Sequence, residues 1–121
     1  PEQAQRLLLC SGKVYYDLVA GRTELGRNDV AIIRIEQLYP LRAELLREVL
    51  LPYKSGTPVV WVQEEPWNMG AWYYMRARLP ELLGERFPLT CVSRRESASP
   101  ATGSLGAHKI EQARVVSEAL A

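Results

Sequence analysis

Residues 58–72 read PVVWVQEEPWNMGAW. The first five, Pro58–Val62, form an apolar run that does not alternate. A strand with one wet face alternates, whereas a strand covered on both faces does not. This run therefore predicts a strand inside a parallel sheet. It gives way to two adjacent carboxylates, Glu64 and Glu65. Pro66 disfavours helical backbone at Glu65 and is expected to end the ladder. Asn68 is a good helix cap, and with Asn68 as cap Trp67 and Trp72 take the spacing of a hydrophobic staple. Gly70 then falls in the first helical turn, where a missing side chain lets another backbone or a ligand come close.

Working outward, three similar runs appear: Arg6–Cys10 (RLLLC), Val30–Ile35 (VAIIRI) and Leu89–Val92 (LTCV). Between them lie stripes with helical spacing. Val14, Tyr15, Leu18 and Val19 make one; Leu41, Leu45, Leu46, Val49 and Leu50 a second. Trp72, Met75, Leu79, Leu82 and Leu83 make a third, and Ile110, Ala113, Val116 and Leu120 a fourth. The order is βαβαβαβα. It implies an α/β fold of three layers: a mostly parallel sheet of about four strands with helices on both faces and right-handed crossovers. Pro80 either kinks the third helix or opens a second short one. Turns are marked at Gly26–Asp29, Ser55–Pro58 and Gly84. No repeat or interior linker is present, so residues 1–121 read as a single domain.

Composition narrows the function classes. With 47% apolar and 24% charged residues, the chain is ordinary globular protein. Its 15 basic and 14 acidic residues balance, which gives no electrostatic case for nucleic acid or for an anionic membrane surface. No run approaches the roughly 18 apolar residues of a membrane helix. Cys10 and Cys91 lie inside apolar runs and read as buried thiols in a reducing compartment, with one disulfide left open. The first residue is Pro1, which suggests a processed product or a piece of a longer protein.

Several candidate sites follow. The plainer reading of Glu64 and Glu65 is a strand end or interface whose acids favour a nearby helix dipole by about 0.3–1 kcal/mol each. The sharper reading is acid–base work, which needs a shifted pKa and a partner base or substrate. Ser11-Gly12-Lys13 follows the first strand, and such a helix start could hold an anion. The preceding glycine of a P-loop is missing, and the plainer reading is a helix capped by Ser11 or Gly12. Arg94 and Arg95 open a loop of small residues, SASPATGS at 97–104, that could bind phosphate or pack on another domain. Its plainer reading is a connector with Ser104 as cap. His108 is the only histidine, so a metal site or triad has little to build on. Tyr15, Tyr16, Tyr39, Trp67, Trp72, Tyr73 and Tyr74 load the loops and helix starts with residues enriched at interfaces.

Four phrases, LLLCSGKVYYDL, DVAIIRIEQLYPL, VVWVQEEPWNMGAW and SASPATGS followed by H and EQ, run in order and in register. Together they closely resemble the carboxyl-terminal domain of the thiamine-diphosphate-dependent decarboxylase component of 2-oxoglutarate dehydrogenase, over almost all of the chain. The resemblance implies a transketolase-type carboxyl-terminal domain with strand order 2-1-3-4, an additional edge strand lying before Pro1. It implies a homodimeric parent that binds thiamine diphosphate and magnesium, decarboxylates 2-oxoglutarate and passes succinyl to a lipoyl-bearing succinyltransferase component. Its cofactor and catalytic residues belong to preceding domains, so no cofactor, no metal and no catalytic residue is expected in this chain. In that order, Ser11-Gly12-Lys13 and Glu64-Glu65 end neighbouring strands at a switch point and are expected to face one crevice.

Some actinobacterial relatives are activated by acetyl-coenzyme A through a glutamine and two arginines, in a stretch similar to Gln37–Leu45. Gln37 matches, but Glu44 and Leu45 hold the two later positions and Arg42 is out of register, so little or no effector binding is expected. The implied location is the cytoplasm of a bacterium, or the mitochondrial matrix in a eukaryote. Two other readings stand beside this one: a stand-alone α/β module binding a small molecule or nucleotide, and a small enzyme with Glu64 or Glu65 as base.

Overall fold

The computed structural model describes residues 4–36, 43–84, 86–94 and 105–121. Elements run β1 (Arg6–Cys10), α1 (Val14–Leu25), β2 (Val30–Arg34), α2 (Ala43–Leu50), β3 (Val59–Pro66), α3 (Trp72–Leu83), β4 (Leu89–Arg94) and α4 (Leu105–Leu120). The four strands form one sheet in the order β2-β1-β3-β4, and every pairing is parallel. The helical spacing and the unalternating strands thus give the α/β architecture expected.

The non-alternating runs are explained by cover on both faces. Leu7 and Leu9 of β1 and Val59 and Trp61 of β3 point to one layer, with α2 and α3. Leu8, Cys10, Val60 and Val62 point to the other, with α1 and α4. Leu7, Leu8 and Leu9 are all fully buried, and each such burial stabilises by roughly 1.5–3 kcal/mol. The chain steps from β1 to β2 over one face, then reverses and steps to β3 and β4 over the other. A change of face at the reversal of direction is what a single hand of crossover demands. The two cysteines fall on opposite layers, Cys10 with α1 and α4 and Cys91 with α2 and α3. Both thiols are free, and with the sheet between them a disulfide is geometrically closed off.

Helix ends show local chemistry at work. Gly26 takes a left-handed φ of 65°, its N–H meets the Thr23 carbonyl at 3.2 Å, and Arg27 N–H meets the Arg22 carbonyl at 3.0 Å. That pair of reversed bonds is a Schellman stop. At the end of α4, Arg6 donates to the Ala119 carbonyl at 2.8 Å and Arg27 donates to the Leu120 carbonyl. Two guanidinium groups thereby complement the negative end of the helix dipole.

Several local expectations are corrected. β3 does not stop before the acids but runs through Pro66, with an irregularity between Val62 and Pro66. Trp67 N–H bonds the Arg94 carbonyl at 3.1 Å, so the Pro66 nitrogen faces the opposite side, where β1 has already ended at Cys10. Its missing N–H costs nothing there. β4 likewise continues to Arg94, while β2 ends at Arg34 and Ile35 N–H still meets the Cys10 carbonyl at 2.7 Å.

Asn68 does not cap α3: the cap position is Ala71, because Met69 N–H closes a turn on the Pro66 carbonyl at 2.9 Å first. Neither Ser11 nor Gly12 caps α1; Lys13 takes that position with no side-chain cap bond. α3 passes through Pro80 as one helix. α2 buries only Leu46 and Leu50 of its stripe, and α4 buries Val115, Ala119 and Leu120 rather than Ile110 and Ala113. Leu41, Tyr39 and the proposed cap Ser104 lie outside the described residues.

Candidate functional site

The switch point lies between β1 and β3, whose carboxyl ends carry Ser11-Gly12-Lys13 and Gln63–Pro66. Gly12 turns the chain into α1 with a φ of 78°, a backbone state open to glycine at little cost. Lys13 is exposed beyond it.

Strand alternation separates the two acids. Glu64 shares the phase of Val62 and reaches the α1/α4 layer, where its Oε1 accepts from Gln112 Nε2 at 3.0 Å. The same amide donates to Asp17 Oδ2 at 2.8 Å. Gln112 Oε1 in turn accepts from Arg94 Nη2 at 3.3 Å, and Arg94 is only 5% exposed. One neutral side chain on α4 thus links a buried cation on β4 to carboxylates on β3 and α1. Glu65 points to the other side, against the turn before α3. A Cβ on Gly70 would sit 3.1 Å from the Glu65 Cβ and Cδ, so the group that the bare glycine admits is Glu65 itself. The two carboxylates therefore share neither a proton nor a common pocket.

The turn after β3 is held from inside. Trp61 Nε1 donates to Gln63 Oε1 at 2.9 Å. The Gln63 amide donates to the Pro66 and Met69 carbonyls at 2.8 Å each, with the Glu65 carbonyl at 3.2 Å. Trp67 leaves this turn to pack on Tyr73, ring centres 5.7 Å apart, and Trp72 packs half-buried against the core.

Of the residues singled out from the sequence, Glu64 and Arg94 meet through Gln112. Lys13 does not join them: among the described residues no ion pair links it to Glu64 or Glu65, and the nearest tie from Glu64 to α1 is at Asp17, one turn on. Asn68 is half-buried in the turn. Gln37, Arg42 and Arg95 lie outside the described residues, and His108 is described only as part of the α4 backbone.

Asp17, Gln63 and Gln112 were missed. Gln63 had a signal, since it falls on the inward phase set by Trp61 in a buried strand and a polar side chain there must find partners. Tyr15 and Tyr16 gain a third member, Arg34. Its Nη1 donates to Tyr16 Oη at 3.2 Å, and its guanidinium carbon lies 5.2 Å from that ring and 5.6 Å from Tyr15.

Burial pushes the thiol of Cys10 up to about 11, against a smaller opposing pull from Arg34. Burial likewise pushes Cys91 up to about 11, opposed by a hydrogen bond with Ser93. Thiols so held are neutral and unreactive at neutral pH. Among the described residues no three His, Cys, Asp or Glu side chains gather as metal ligands, and no helix is long and apolar enough to cross a membrane.

Comparison with known proteins identifies the chain's relatives. The sequence profile of the family described as 2-oxoglutarate dehydrogenase C-terminal matches residues 1–120. The 2-oxoglutarate dehydrogenase E1 component of Haemophilus influenzae is 45% identical over 120 residues, which are 99% of this chain and 13% of that protein. The E1 component of Azotobacter vinelandii is 46% identical over 123 residues, 98% of this chain and 13% of that one. The multifunctional 2-oxoglutarate metabolism enzyme of Mycolicibacterium vanbaalenii is 44% identical over 118 residues, 97% of this chain and 10% of its own length. Among solved structures, a split-gene transketolase, an inactive β4 tetramer, superposes with a TM-score of 0.59 at 18% identity. It covers 98% of this chain and 39% of that one, a likeness of fold. The chain spans about an eighth of the length of the curated E1 relatives, 13% in both cases. With the profile matched from residue 1 to 120, the chain belongs to the 2-oxoglutarate dehydrogenase C-terminal family.

Proposed function

We propose that this chain works as the carboxyl-terminal assembly domain of a 2-oxoglutarate dehydrogenase first component, within a longer, homodimeric polypeptide. The observation that carries this reading is identity of 45–46% across nearly the whole chain to proteins of which it makes up only 13%. In this reading the parent decarboxylates 2-oxoglutarate and passes succinyl to the lipoyl-bearing succinyltransferase component. A cytoplasmic location accords with the bacterial sources of those relatives.

Thiamine diphosphate and magnesium belong, in this reading, to the preceding domains. The described residues do not fit them: no cluster of three metal-ligating side chains forms, and the loop after β1 carries Gly12 alone rather than a glycine-rich cradle. The chain's own contribution is rigid support. A polar lock of Arg94, Gln112, Glu64 and Asp17 fixes α4 against the sheet rim, and Gln63 fixes the turn that follows β3.

The test is a pair of assays. With 2-oxoglutarate, thiamine diphosphate and magnesium, the 121-residue chain should show no decarboxylation, while the longer protein containing it turns over. Truncation before the domain should abolish both turnover and dimerisation. Turnover by the short chain alone, or an intact and active dimer without it, would refute the proposal.

A further inference from the structure

We draw no further inference here: the strongest candidate, the surface groove between α1 and α4 floored by Ala20, Gly21 and Ala113 and rimmed by Asp17, Glu24 and Lys109, carries nothing, because the packing of the two helices on each other already accounts for its glycine and nothing in the structure shows what covers it.

Discussion

Gln63 accepts the indole N–H of Trp61 at 2.9 Å and passes its own amide protons to the carbonyls that follow it in the chain. The pair joins a buried aromatic of the core to the turn that follows β3. Replacing Gln63 with Leu keeps the volume but strands the indole N–H and at least two carbonyls in a dry site. Each such orphan costs about 1–3 kcal/mol. We expect Gln63→Leu to lower unfolding free energy by about 3 kcal/mol in urea titration. A loss below about 0.5 kcal/mol would mean that water already serves those groups.

Gln112 stands between one cation and two anions, and its neutrality is the point. Gln112→Ala should cost about 1–2 kcal/mol through lost hydrogen bonds. Gln112→Glu places a third carboxylate beside Asp17 and Glu64, and like charges at that range repel. The Glu variant should therefore be the less stable of the two at pH 7. Thermal melts of both variants at pH 7 check this, and a Glu variant at least as stable as the Ala variant, held by Arg94, would refute it.

The thiols give a pH dependence of definite sign. Both are pushed up to about 11 in the folded chain, whereas an unfolded cysteine ionises near the ordinary 9. The folded state thus holds its thiol protons more tightly. That contribution is whole below about pH 9 and is lost as pH rises from about 9 to about 11. Urea midpoints should fall over this window more steeply for the parent than for Cys10→Ala, whatever the offset between the two at pH 7. Parallel curves would count against a buried neutral thiol at position 10.

Gly21 lets α1 pack closely on α4. A methyl there would lie 2.8 Å from Val116 Cγ1 and 2.9 Å from Leu120 Cδ1. Alanine is the better helix former by about 1 kcal/mol. Leu120, however, is buried, and overpacking a core costs about 1–3 kcal/mol. We expect Gly21→Ala to destabilise by about 1 kcal/mol and Gly21→Val by more, read as shifts in melting temperature. Stabilisation by alanine would show that the two helices part easily.

Much of this architecture can be read from the unalternating runs, because burial on both faces leaves a mark at every residue. RLLLC and PVVWV became β1 and the first half of β3, and their parallel pairing followed from helix-length connections. Helix phase was harder to read. In α4 the adjacent Val115 and Val116 allow two stripes, and contact with the sheet selected the one through Val115 and Ala119. The start of α3 was misread because Asn68 is a good cap in isolation, while the turn held by Gln63 delays the helix by one turn. The Glu64 half of the rim site was visible only as a residue. Its partners Asp17 and Gln112 lie 47 positions before it and 48 after it, and only the fold brings them together.

The placement of Cys10 and Cys91 on opposite sides of one sheet gives the protein two built-in reporters. The buried Cys10 thiol becomes labile only when the helical layer above it lifts, whereas the partly exposed Cys91 thiol answers to smaller openings of its own layer. Pulsed labelling of the native chain would then time the opening of each layer separately, and show whether the two leave together or in sequence.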